Sequence, residues 1–292
     1  MIASKRVPFL FTLAALYVLT SIAFPNFRDV ADWIFGGILG LGLVAVGIPH
    51  GALDVWTHRH RNSAAQSLRY IALYLVAIGG VFAFWMTFPL AGLFVFLALS
   101  AWHFGQADFE LWGMRRGSFA WGWLALSMIL IWNVSEVNGI LAHMGIEPVV
   151  LQWIELNVHP FQWVTVAAWF VAAARAIQLK KWEWLWTLGM LVWAPWMPVL
   201  WAFGLYFIGQ HSVAGWTHLQ LRMNKGGSEL WRLALPFTLG AWALIAAGIW
   251  VLTSAFVLDT DATAGAFFVL LGSISIPHIF ESHLFLRNGA SG

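Results

Sequence analysis

The sequence predicts an all-α, polytopic integral membrane protein with about ten transmembrane helices and both termini in the cytoplasm. Three observations carry this expectation. Of 292 residues, 61% are hydrophobic and only 10% charged, whereas a soluble domain carries about a quarter charged residues. So few charges cannot cover a water-facing surface, and the surplus apolar area must face lipid. Apolar stretches near the roughly 20 residues needed to cross hydrocarbon recur along the whole chain. Finally, the basic residues fall on alternate connections between those stretches, as cytoplasmic loops require.

Reading between charges and prolines, the spans run Val7 to Phe24, Trp33 to Gly51, Tyr70 to Phe88, Leu90 to Phe109, Phe119 to Val134, Phe161 to Ala176, Trp184 to Trp196, Pro198 to Leu219, Leu233 to Phe256 and Ala264 to Leu286. Lys5 and Arg6, then Arg59, Arg61 and Arg69, then Arg115 and Arg116, then Arg175, Lys180 and Lys181, then Arg222, Lys225 and Arg232, and finally Arg287 all fall on one side. The opposite side holds Arg28 with Asp32, Glu136, Glu147, Glu155, Asp259 and Asp261. Fourteen of the 15 basic residues thus share a side, and adding or dropping one span would scramble that split. The start of the chain resembles a signal peptide. It lacks an evident small-x-small cleavage site near Phe24-Pro25 and reads as a retained first helix in a multi-pass protein of the cell (inner) membrane.

No domain boundary or repeat is evident, so residues 1–292 read as a single transmembrane domain. The longest connection, Ser135 to Pro160, contains the amphipathic Val149–Ile154, which suits either the membrane surface or an ordinary lid. The 21 tryptophans suit interfacial belts. The spacings Gly36-x-x-x-Gly40 and Gly47-x-x-x-Gly51 suggest close helix packing.

Cysteine is absent, which excludes disulfides, thiolate metal sites and cysteine nucleophiles. The net charge of +2 without a long basic run gives nucleic acid nothing to hold. Any metal here must take nitrogen and oxygen ligands.

The ten histidines are the chemically informative residues. His58 and His60 fall in a basic loop, and His143 and His159 in the external connection; these four read as solvated. Polar groups inside a membrane are costly and usually functional. His50 lies nine positions before Arg59, His103 12 before Arg115, His211 11 before Arg222 and His278 nine before Arg287. Four histidines on four spans therefore share one depth, about two to three turns inside the cytoplasmic boundary. A lone buried histidine is more often a hydrogen-bonded core residue. Four at one level point to a shared metal ion, which would satisfy their lone pairs together. Asp54, Asp108 and Glu281 follow His50, His103 and His278 by four, five and three residues. They are candidates to accept the second N–H of a ligating imidazole, or else interfacial partners of nearby arginines. Imidazole suits iron, copper, zinc and nickel alike; no His-Glu-x-x-His signature for hydrolytic zinc occurs. Trp102, Tyr206 and Phe207, near His103 and His211, suit an aromatic passage for a long apolar molecule, or ordinary core packing.

Four fragments together resemble a known family: Gly47-Ile48-Pro49-His50-Gly51-Ala52-Leu53-Asp54, Trp102-His103-Phe104-Gly105-Gln106-Ala107-Asp108, Gln210-His211-Ser212 and Ile276-Pro277-His278. The combination is similar to the bacterial and archaeal Brp/Blh family of β-carotene 15,15′-dioxygenases. The resemblance implies a polytopic Fe(II) enzyme that cleaves the central double bond of β-carotene, or a related carotenoid, with O₂ to give retinal. It implies His50, His103 and His211 as iron ligands, with His278 as a further candidate. The family places a second histidine one turn after that of the eighth span. Here that position is Gly215, and His218, seven residues past His211, is the alternative ligand.

The rival readings are a di-iron membrane desaturase or hydroxylase acting on a lipid or isoprenoid, a haem protein, and a transporter that relays protons through histidines. The first expects dense His-x-x-His-His boxes, which do not occur. The others part from it by an absorption spectrum or by transport without metal.

Overall fold

The structure, a computed structural model, describes residues 3–57, 64–252 and 260–288. His58 and His60 lie outside these residues. Among the described residues all regular structure is helical. The α-helices are α1 (Ala3–Ala23), α2 (Arg28–Gly42), α3 (Ile48–Gly51), α4 (Asp54–Thr57), α5 (Ala64–Thr87), α6 (Pro89–Leu111), α7 (Ser118–Leu130), α8 (Val134–His143), α9 (Pro148–Gln178), α10 (Trp182–Leu191), α11 (Val199–Gly204), α12 (Val213–Met223), α13 (Gly227–Leu252) and α14 (Thr260–Asn288). Two π-helical segments, Leu43–Gly47 and Leu205–Ser212, join α2 to α3 and α11 to α12.

Among the described residues five helical stretches are long and apolar enough to cross a membrane, or six if the bent pair α7 and α8 counts as one span. Their large apolar side chains are exposed, among them Leu73 and Val76 on α5, Phe94 and Val95 on α6, and Leu239 and Val251 on α13. Apolar area on that scale has no place in water and marks the chain as a membrane protein.

The sequence-derived spans map onto helices with altered ends. The stretch Phe119 to Val134 is not one helix: α7 stops at Leu130, and α8 leaves it at 97°. The break is stable because its polar groups find partners elsewhere. Gln162 donates to the carbonyl of Ile131 at 2.9 Å, and Asn133 donates to the carbonyls of Ala194 and Met197, so the helix end is not left unsatisfied. The stretch Trp184 to Trp196 also divides. Helix α10 ends at Leu191, and a 3₁₀ turn, Ala194–Trp196, follows around Pro195, which has no N–H to continue an α-helix. The sixth span is longer than its apolar run suggests: α9 already begins at Pro148, so Val149–Ile154 are its first turns.

The chain divides into two compact units, neither of them continuous in sequence. One consists of the residues through Gly47, Phe104–Val137 and Trp153–Thr217; the other consists of Ile48–His103, Asn138–Gln152 and the residues from His218 onward. Three separate stretches interleave in each, so a scan for linkers shows no boundary.

In the first unit, α1 packs on α2 and α10. Asp32 of α2 accepts hydrogen bonds from Tyr17 of α1 (2.5 Å) and Trp201 of α11 (3.0 Å), which ties three elements at one carboxylate. The two π segments pack together here. A side chain on Gly42 would come within 2.8 Å of Ile208 Cγ2, so the close approach depends on glycine. Gly36 makes room for the Trp201 indole, whereas Gly40 faces open space. The four-residue glycine spacing thus admits an aromatic ring at one of its two positions.

In the second unit, α14 packs against α4, α5 and α13, and α3 packs on α13. Trp85 is 1% exposed. Its ring lies against Gly92 of α6 and Gly272 of α14, where an added Cβ would sit 3.0 Å from indole carbons. Small residues at such points let helices close on bulky neighbours where no hydrophobic force acts between helix and lipid.

The tightest contact is at Gly105 of α6, where a Cβ would fall 1.8 Å from the backbone oxygen of Ser118 on α7. Backbone cannot yield as a flexible side chain does. Overpacking usually costs about 1–3 kcal/mol, and Gly105→Ala should reach or exceed the top of that range. The expected result is a clearly lowered melting temperature of the detergent-solubilised protein; an unchanged one would show that α6 and α7 do not meet at this point.

Candidate metal centre

Three histidines of the second unit converge: His50 on α3, His103 on α6 and His278 on α14. One ligand atom from each lies within 4.8 Å of the other two. All three residues are buried. The His278 ring stands almost perpendicular to both others, with centroids 5.1 Å from His50 at 87° and 5.2 Å from His103 at 89°. The rings therefore do not stack; they turn nitrogens toward a common point. Among the described residues this is the one cluster of three potential ligand side chains.

Local sequence explains how each ring reaches its place. A π segment precedes α3, and such insertions are frequent at functional sites. Proline stands immediately before both His50 and His278, and it leaves a carbonyl one turn back without its helical donor. Gly51 lies flat against His278, where an added Cβ would meet the ring at 3.4 Å. A side chain longer than alanine's would press on the ring.

Asp54 supplies the carboxylate. Both its oxygens accept from His278 Nδ1 at 3.0 Å. The acid that follows His50 in sequence thus serves a histidine 224 residues away. The reason is a break at Ala52 and Leu53: α4 starts a new turn at Asp54 and aims its side chain at α14. With Nδ1 committed, Nε2 is the atom that His278 could offer a metal, and it has no hydrogen-bond partner among the described residues. Tyr74 of α5 donates to Asp54 Oδ2 at 2.9 Å.

The donor set fits a first-row transition metal. Imidazole nitrogens bound to one ion at about 2.0–2.1 Å lie roughly 3–4 Å apart, so a small adjustment of the rings converts the observed spacing into coordination. Three neutral nitrogens leave positions open for other ligands, and the carboxylate behind one of them follows the usual outer-shell pattern.

The remaining sequence candidates are placed as follows. His211 belongs to the first unit and is 1% exposed. Its ring packs on Phe104 at 4.5 Å and lies nearly parallel to Phe207 at 5.8 Å. It lies one residue before the end of a π segment whose Ser212 hydroxyl donates to the carbonyl of Phe207, five residues back. His218 is buried in the second unit and is not one of the three clustered histidines. Trp102 packs on His283 and Phe280, and Glu281 is half-buried nearby in sequence. His159 is exposed and bonded to Gln162, and His143 is exposed at the end of α8.

Asp108 anchors a second buried arrangement, in the first unit. Its carboxylate, 0% exposed, accepts from Trp121 Nε1 (2.9 Å), Tyr206 Oη (2.8 Å) and Gln210 Nε2 (2.8 Å). Tyr206 thus spends its hydroxyl on this carboxylate. Sequence reasoning missed Tyr74, Trp121 and Gln210 as polar partners. The available signal was a tyrosine or glutamine inside an apolar span, and tryptophan carries none.

A helical membrane protein that gathers buried imidazoles backed by a carboxylate has the make-up of a membrane metalloenzyme. The chain belongs to the β-carotene 15,15′-dioxygenase family, whose model matches residues 41–285, and so is a carotenoid-cleaving dioxygenase by class. This agrees with the Brp/Blh resemblance of the four sequence fragments. A protein named beta-carotene 15,15′-dioxygenase, from uncultured marine bacterium 66A03, is 24% identical over 276 residues, covering 85% of this chain and 93% of its own. A probable beta-carotene 15,15′-dioxygenase Blh of Halobacterium salinarum is 29% identical over 101 residues, covering 33% of this chain and 28% of its own. No solved structure matches the chain.

Removing the Asp108 carboxylate would leave three buried donors without their acceptor, each at about 1–3 kcal/mol. Asp108→Ala should therefore lower stability by on the order of 3 kcal/mol or more, read as a large drop in melting temperature. A near-neutral effect would show that the three donors find other partners.

Proposed function

We propose that this protein cleaves the central 15,15′ double bond of β-carotene with O₂ and releases two molecules of retinal, using Fe(II) held by His50, His103 and His278. The observation that carries the reading is the convergence of these three buried rings, within a chain whose family is named for that reaction. His211 joins them as a further ligand on the grounds of its shared sequence depth and the family pattern, with His218 as the alternative. The reaction balances: one carbon–carbon double bond breaks, and each of its carbons takes one atom of O₂ to become an aldehyde.

The iron would supply a site for activating O₂. The protein does the rest. His278 is fixed in one tautomer by Asp54, so its Nε2 presents a lone pair without reorganisation. The apolar helices around the cluster exclude water, which would otherwise intercept reactive oxygen species. Aromatic side chains, among them Trp102, Phe207 and Tyr206, are proposed to guide the polyene, with Asp108 and Glu281 supporting ligands from behind.

The membrane setting follows from the substrate. β-Carotene is a hydrocarbon of forty carbons. At roughly 0.8 kcal/mol per methylene-sized group, transfer through water would cost on the order of tens of kcal/mol. A catalyst that takes the substrate sideways from lipid avoids that cost. We further propose that residues 1–292 act as one catalytic domain in the cell (inner) membrane, crossing it ten times with both ends cytoplasmic. The one-sided placement of basic residues supports this topology.

Expression in a β-carotene-producing host should bleach the cells and yield retinal on chromatography. Persistent colour without any apocarotenoid, while the purified protein carries iron, would point to another substrate. In the purified protein, chelation should abolish activity and Fe(II) should restore it; a Soret band would instead identify a haem protein. His103→Ala and His211→Ala should each lose iron and activity together. Full iron occupancy with lost activity would overturn the ligand assignment for that residue.

A further inference from the structure

We propose that Tyr74 is a positioning residue that tunes the metal ligand His278 through Asp54. The inference rests on the metal-centre reading above and extends it to a residue that the sequence motifs do not include. Three elements of one unit meet in a line: Tyr74 Oη on α5 donates to Asp54 Oδ2 at 2.9 Å, and both Asp54 oxygens lie 3.0 Å from His278 Nδ1 on α14. Asp54 is 5% exposed, so little solvent dilutes these bonds and the low local dielectric strengthens each of them.

The two contacts on Asp54 act in opposite senses. The carboxylate draws on the imidazole N–H and makes Nε2 a stronger donor to a metal. The phenol draws charge from the same carboxylate and so moderates that pull. Hydrogen bonds in a chain polarise one another, and Tyr74 is the outermost member. It also holds Asp54 in one orientation, which in turn sets the plane of the His278 ring. The phenolic oxygen donates to the carboxylate that stands behind His278, so its effect passes through that carboxylate.

The experiment compares the Fe(III)/Fe(II) potential of iron-loaded wild type, Tyr74→Phe and Asp54→Asn in detergent, with iron content measured alongside. Tyr74→Phe removes one oxygen and keeps the ring. It should retain iron and shift the potential negative, because an unmoderated carboxylate makes His278 more anionic and favours Fe(III). Asp54→Asn should shift it positive and weaken iron binding 10- to 100-fold. Replacing Tyr74 with a ring-fluorinated tyrosine, a stronger donor of the same shape, should move the potential positive and keeps the test open if Tyr74→Phe folds poorly. A mere structural tie between helices would lower the melting temperature and leave the potential alone. An unshifted potential in both Tyr74 variants, or a shift of Tyr74→Phe in the same sense as Asp54→Asn, overturns the proposal. Undiminished iron in His278→Ala would overturn the metal-centre reading, and the proposal with it.

Discussion

An imidazole buried among apolar helices has two nitrogens to satisfy, and hydrocarbon offers partners to neither. That requirement organises the second unit. His278 commits Nδ1 to Asp54 and turns Nε2 toward His50 and His103. Several local features serve this placement. The break at Ala52 and Leu53 swings Asp54 across to α14, Gly51 leaves space for the ring, and Tyr74 holds the carboxylate from the far side.

The first unit solves a related problem with a different chemistry. Asp108 is a wholly buried carboxylate with three neutral hydrogen-bond donors. Asp32 is served in the same way by Tyr17 and Trp201. Indole and phenol groups are well suited to this task in a membrane. Each brings a large apolar surface that hydrocarbon accepts, and a single polar atom that a carboxylate can use. This use accounts for part of the high tryptophan content that interfacial belts alone leave unexplained.

Close packing in both units depends on glycine at a few points. Gly42 admits Ile208, Gly92 and Gly272 admit Trp85, and Gly105 lies directly on the backbone of α7. The π segments add a second kind of irregularity. An extra residue per turn alters which side chains share a face, so the positions after each segment do not continue the preceding 3.6-residue register. His50 follows one such segment and His211 lies within the other.

The sequence by itself determined the membrane class, the helical content and the family, and it set His50, His103, His211 and His278 at one depth; the first two and His278 meet in the second unit. Class, family and depth follow from composition, from the distance of each histidine to the next basic residue, and from short contiguous motifs, all of which are local properties. It also marked Asp54 as a carboxylate for an imidazole. Only the tertiary structure decided that Asp54 reaches His278, that Tyr74 completes the line, and that Asp108 serves Trp121, Tyr206 and Gln210. It also decided where the fifth apolar stretch breaks and where π turns replace α turns. Such pairings join residues up to 224 positions apart. They depend on which helix faces come together in space, and no periodicity along a single helix encodes that.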